Sequence, residues 1–248
     1  LNTLVWKVGE QIEKREKEEI KLLKEEKLVK GTKKLPALFE EADGIWFNLQ
    51  GKDRKVAIEK YKKECEKKNI EFDANHKHKT ELKLHITYEG WKKDSNRHEL
   101  VNKTIIAGML PVNDLKRLRD ARVYQKYDVE SIKLRASNGD GARWITNIMT
   151  EDTICQKDAF HIQQEIIRDI KEEKYREPLV KMIEEKRYNE VQQYIENLKY
   201  ELGGEEKTIK KLKTLQSYLK NGLPRYQDIL KEQGRELPQA PENIEYRN

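Results

Sequence analysis

Two aspartates stand in matched surroundings, in Glu41-Ala42-Asp43-Gly44-Ile45-Trp46-Phe47 and in Asn138-Gly139-Asp140-Gly141-Ala142-Arg143-Trp144, each beside glycine where a strand-like run nears its end. Backbone with so little side-chain bulk lets a large anion approach, and open carboxylate oxygens are the ligands that Mg²⁺ prefers. The combination suits phosphoryl transfer. Far apart in sequence, Asp43 and Asp140 meet only if their strands are neighbours. Neighbouring strands stand about 4.8 Å apart, close enough for two carboxylates to bracket metal ions separated by about 3.5–4 Å. Either aspartate alone would more simply serve the turn at its glycine, and it is the matching of the two contexts that favours a shared role.

Other groups with chemical potential are sparser. Cys155 and His161 lie six residues apart with no second pair of matching spacing, which argues against zinc; His161, at a helix start, could touch a phosphate or a metal-bound water, or be an ordinary structural histidine. Arg117, Arg119, Arg122 and Lys126 could form a helix face that grips DNA phosphates, with Arg143 beside Asp140 adding to it, although a solvated face is the plainer reading of each. Trp91, Trp144 and Tyr226 could stack on bases, but such side chains more often pack a core. His76 and His78 fall in a lysine-rich polar loop.

These residues must be positioned by the surrounding chain. Its 248 residues suffice for one large domain or two small ones, and 39% charged against 36% hydrophobic residues implies a helix-rich protein with a lean core. A net charge of +6 permits nucleic-acid binding without demanding it. No apolar run approaches the roughly 20 residues that span a bilayer, and the start lacks the order of a signal peptide, so the expected location is cytosolic and off the membrane. Cys65 and Cys155 are far apart in unlike contexts, which fits a reducing compartment. The chain starts at Leu1 and ends without a tail-like composition, and is expected to be a piece of a longer protein.

The pattern predicts a long charged helix over about 5–29, a strand over 35–49 holding Asp43, a basic helix over 54–68, strands over 81–91 and 103–109, and a helix over 111–127. A fourth strand over 131–140, a short helix over 142–149, a fifth strand over 152–156 and a helix over 159–174 complete a mixed α/β sheet flanked by helices. From Tyr175 to Leu230 no strand signal remains. The stripes Val191, Ile195, Leu198, Leu202 and Ile209, Leu212, Gln216, Leu219, broken at Gly203-Gly204, read as a helical hairpin or small bundle, and Leu237 to Pro241 as loop.

Both aspartate motifs, together with His85-Ile86-Thr87-Tyr88-Glu89-Gly90-Trp91, the run Leu118 to Tyr127, Ile154-Cys155-Gln156-Lys157-Asp158-Ala159-Phe160-His161 and Asn221-Gly222-Leu223-Pro224-Arg225-Tyr226-Gln227, resemble the ISLre-two group of bacterial insertion-sequence transposases. The motifs recur in order over nearly the whole chain. The resemblance implies an RNase H-like DDE fold related in layout to Mutator-type enzymes: a charged helix over 1–32, a catalytic core over 33–174, a helical insertion over 175–232 and a connecting loop over 233–248. Asp43 and Asp140 become the first two metal ligands and catalytic acids. A glutamate expected beyond Asn248 becomes the third. Two Mg²⁺ ions, replaceable by Mn²⁺, are the implied cofactors, and double-stranded DNA and a homo-oligomeric active complex the implied partners. Cleavage and strand transfer at element ends is the implied reaction. A non-catalytic DNA-binding remnant and an RNase H-like nuclease are the alternatives.

Overall fold

A computed structural model of the protein describes residues 2–95, 97–202 and 204–247. The chain runs α1 (Asn2–Lys24), β1 (Ala37–Asn48), α2 (Gly51–Lys68), β2 (Lys79–Tyr88), β3 (Trp91–Asp94), β4 (Arg97–Leu100), β5 (Thr104–Gly108), α3 (Val112–Lys126), β6 (Leu134–Gly139), α4 (Arg143–Ile148) and β7 (Thr153–Lys157). Five helices follow: α5 (Ala159–Asp169), α6 (Glu173–Glu184), α7 (Tyr188–Glu201), α8 (Glu206–Tyr218) and α9 (Tyr226–Glu232). Among the described residues no helix is long and apolar enough to cross a membrane.

The five strands anticipated from sequence form one mixed sheet in the order β5-β2-β1-β6-β7. The β1–β2 and β2–β5 pairs are antiparallel, while β1–β6 and β6–β7 are parallel. Alternation of side chains along β1 separates two cores. On one face Ala37 and Phe39 pack with Tyr88, Leu134 and Ala136 beneath Tyr226 and Leu230 of α9. On the other, Leu38 meets Val123 and Tyr127, and Ala42 meets Leu115, Leu118, Trp144 and Ile145 of α3 and α4. α1 lies against α3 with Ile20 buried, so its charged sequence covers one apolar contact.

The helical part has a core of its own, built from Ile162 and Ile166 of α5, Leu179 of α6, Val191, Ile195 and Leu198 of α7, and Leu212 and Leu215 of α8. α5, expected to belong with the sheet, turns its apolar stripe into this cluster. The expected single helix over 159–174 is divided, because Ile170 leaves the helical conformation and is buried in the cluster, while Arg176 Nη1 donates to the Lys171 carbonyl at 3.1 Å. A second departure from expectation is the small sheet β3–β4. Gly90 has φ +137, a conformation that ends β2 and lets Trp91 begin a separate strand whose backbone exchanges hydrogen bonds with Glu245.

Candidate functional site

β1 outruns β6. It pairs with β2 as far as Asn48 but with β6 only as far as Ala42, which is opposite Gly139. Asp43 is therefore the first β1 residue past the end of its parallel neighbour, and Asp140 is the first residue past β6. Both aspartates occupy the carboxyl end of the parallel strands, the place where open α/β sheets bind ligands. Each is half-buried, and each ties one oxygen locally: Asp43 Oδ1 accepts from the Gly44 amide and Asp140 Oδ1 from the Ala142 amide, both at 2.7 Å. The second oxygen of each has no hydrogen-bond partner among the described residues.

Polar side chains extend the site across the same end of the sheet. By strand alternation Glu41 and Asn138 share the face of Phe39, and Asn138 pairs in register with Gln156 of β7. Tyr88 Oη donates to Glu41 at 2.8 Å, Gln156 Nε2 donates to Asn138 at 2.6 Å, and the Tyr226 amide donates to Gln156 Oε1 at 2.8 Å. A 260 Å³ cavity is lined by Glu41, Asp43, Asn138, Gly139, Asp158 and His161 among others. Asp158 caps α5 by accepting from the Phe160 and His161 amides. His161 Nδ1 is shielded from solvent without a hydrogen bond and lies 3.7 Å from Asp158 Oδ1. Asp43 and His161 thus share one cavity. Asp140 stands at its rim, between Gly139, which lines it, and Gly141, which lines a second and larger cleft. Among the described residues no group of three or more histidine, cysteine, aspartate or glutamate side chains is arranged to hold a metal ion.

The arginines of α3 need correction. Arg119 was expected on a phosphate-gripping face, but it is 1% exposed and joined to Glu40 through Nη2 and through Nε at 2.8 Å. Desolvating a guanidinium demands a paired carboxylate, and Glu40 provides it inside the molecule. His85 Nε2 stands 2.9 Å from the same carboxylate. Burial alone would raise the pKa of Glu40, but Arg119 and His85 outweigh it and hold it well below the carboxylate range. Arg122 is likewise engaged, donating to Glu16 and Glu19 of α1 at 3.1 Å each and to the Ile105 carbonyl at 3.0 Å. Lys126 donates to the Asn102 carbonyl at 2.5 Å and to Thr104. All three bind the fold together. Arg143, at the first turn of α4, is exposed. Trp144 and Tyr226 are core residues, and Trp91 packs against Phe39 and Tyr88.

Sequence reasoning passed over Lys157. It ends β7, its Nζ donates to the carbonyls of Tyr218, at 2.6 Å, and Asn221, and its amide donates to the Gly222 carbonyl at 2.7 Å. Arg225 Nη1 in turn donates to the Lys157 carbonyl at 2.6 Å. Gly141, with φ +89, lies so close that a Cβ there would sit 2.7 Å from Lys157 Cε. Lys157 therefore fastens the helical unit to the Asp140 turn. Its position one residue before an aspartate cap, opposite an Asn-Gly-Leu-Pro turn, could have marked it only with knowledge of the pairing.

Among known proteins, a family model described as Uncharacterised protein family (UPF0236) matches residues 63–240, well over half of the chain. No curated protein and no solved structure matches it. By that match the chain belongs to the uncharacterised protein family UPF0236.

Proposed function

We propose that the chain is the catalytic core of a DDE transposase that cleaves and joins insertion-sequence DNA ends. The observation that carries this reading is the register of β1 and β6, which puts Asp43 and Asp140 one step past the paired residues Ala42 and Gly139. The sheet order, an antiparallel trio continued by two parallel strands, suits the RNase H-like layout that the sequence motifs imply, and the helical unit after β7 occupies the place of the implied insertion.

The donor set suits Mg²⁺ or Mn²⁺: two carboxylates, each keeping an oxygen without an internal partner, with the Glu41 carboxylate on the neighbouring position of β1. A bound divalent ion supplies Lewis acidity at a phosphodiester and charge neutralisation for its departing oxygen. The chain's own residues then have defined tasks. Asp43 and Asp140 would hold the cation, Gly44 and Gly141 leave room for the side chains of Glu81 and Lys157 to close on the two turns, and Asp158 with Gln156 fixes the floor. His161 Nδ1, without a hydrogen-bond partner among the described residues, could donate to an anion in the cavity.

Nicking of a supercoiled plasmid carrying the element's ends tests the reading. In a protein that carries the implied third acid, Mg²⁺-dependent nicking and joining that disappears in Asp43→Asn and in Asp140→Asn is the expected result, and undiminished activity in either variant overturns it. Non-catalytic DNA binding is favoured by one observation, the capture of Oδ1 of both aspartates by local amides, which is what turn-forming residues do. Titration with Mn²⁺ separates the two, because a mere turn aspartate binds none.

A further inference from the structure

On the reading of the chain as a DNA-processing enzyme, we propose that the cleft between α8, α4 and the end of β7 holds a phosphodiester backbone of DNA, leading it to Asp140. The cleft has a volume of 740 Å³, well above that of the cavity at Asp43. Lys157, Lys210 and Lys213 line it, and none of the described residues lining it is an aspartate or glutamate. In a chain with 45 acidic residues that exclusion leaves the lining itself positive, with Glu196 the acid within electrostatic reach of Lys213.

Lys210 and Lys213 are exposed, lie one turn apart on the same face of α8, and make no ion pair within 4 Å among the described residues. Two other lysines of the helical unit are paired directly, Lys186 with Asp228 at 2.5 Å and Lys199 with Glu196 at 2.5 Å. At the cleft floor the Lys157 ammonium bonds only to carbonyl oxygens, so its charge is not cancelled. Two hydroxyls on the wall point to the same kind of guest. Among the described residues, Ser137 Oγ, on a residue 2% exposed, and Tyr218 Oη have no hydrogen-bond partner, Tyr218 standing also within the field of Glu165, Asp140 and Asp158. Buried hydroxyls without acceptors are costly, and phosphate oxygens would supply them. A repeated anion answers a row of unpaired lysines better than a single one does, and the adjoining Gly141 brings the cleft to within one residue of Asp140.

The test is binding of a duplex of about 30 base pairs by the 248-residue chain, read by fluorescence anisotropy in EDTA over a range of salt, so that affinity is measured without chemistry. Lys210→Glu with Lys213→Glu should weaken binding at least tenfold at low salt and make the dependence of log K on log salt shallower by about two units. Lys60→Glu with Lys67→Glu, an equal change of charge at exposed positions of α2, should change affinity less than about threefold. A cleft variant that binds like the parent, or no worse than the α2 variant, overturns the inference, as does a parent with no measurable affinity. If the parent binds through Lys210 and Lys213 yet Mn²⁺ titration finds no metal at Asp43 and Asp140, the cleft stands and the transposase reading falls. Asp43→Asn, which should bind DNA normally while losing the response to Mn²⁺, separates the two in the opposite direction.

Discussion

Asp43 and Asp140 place two negative charges at one end of a parallel pair, so a divalent cation should raise the melting temperature of the parent. At a metal concentration about 100 times Kd the gain is about 2.7 kcal/mol. Asp43→Asn with Asp140→Asn should abolish that gain and should itself melt higher than the metal-free parent, because the repulsion is gone. Differential scanning fluorimetry with Mg²⁺, Mn²⁺ and EDTA reads both effects. An unchanged metal response in the double variant would remove the site from these residues. Glu40 makes a second residue-scale prediction. Its folded pKa lies below the ordinary 4.5, so its stabilising contribution is complete above about that pH and is lost as pH falls toward the folded value. Glu40→Gln leaves buried Arg119 only the half-exposed Asp120 as counter-charge, 2.6 Å from Nη1, and should cost about 3 kcal/mol at pH 7 in urea unfolding, with a flatter dependence on acid than the parent. The paired aspartates were legible because glycine marks local backbone and local context is what a sequence carries. Arg119 was not, since a buried guanidinium and a solvated one look alike until Glu40 and His85 are seen to face it across the sheet.

At the scale of elements, α3 works as a clamp rather than as a nucleic-acid face. Arg122 reaches Glu16 and Glu19 of α1 and the carbonyl of Ile105 on β5, three partners from two elements. Arg122→Ala should therefore free α1, raising amide exchange over residues 2–24 while costing about 1–3 kcal/mol and leaving DNA affinity within about twofold. A fall in DNA affinity with α1 protection unchanged would restore the phosphate-contact role. The five strands of the main sheet were readable from alternation and turn residues. β3 and β4 were hidden for a physical reason: Lys92, Lys93, His98 and Glu99 are polar on an exposed ribbon, and what stabilises it is the pairing of Trp91 with distant Glu245. The division between α5 and α6 was hidden likewise, because Ile170 is neither Gly nor Pro and leaves the helix for burial in the neighbouring cluster.

The whole molecule has two bodies with separate apolar centres, the sheet with α1, α3, α4 and α9, and the cluster of α5 to α8. All four tryptophans, at positions 6, 46, 91 and 144, belong to the first part of the chain, outside α5 to α8. Tryptophan fluorescence therefore reports on the sheet body, while far-ultraviolet circular dichroism also sees the helices. Leu215→Ala, at a fully buried position of α8, should remove about 2–5 kcal/mol from the helical body. Its dichroism transition in urea should then precede the fluorescence transition. Coincident transitions would mean that the two bodies unfold as one.

The meeting of both ends of the helical unit at Lys157 bears on how such a chain can change. The polypeptide leaves the sheet at that residue and comes back to it at Gly222 and Arg225, hydrogen-bonded to its own point of departure. Whatever lies between is a closed excursion, and its length does not enter the register of β1, β6 and β7. Lengthening, trimming or exchanging α6 to α8 would leave Asp43 and Asp140 where they stand. On the proposed reading, the lysines of α8 could then be altered to suit different DNA while the carboxylates remained in place, and gripping would be separable from cutting.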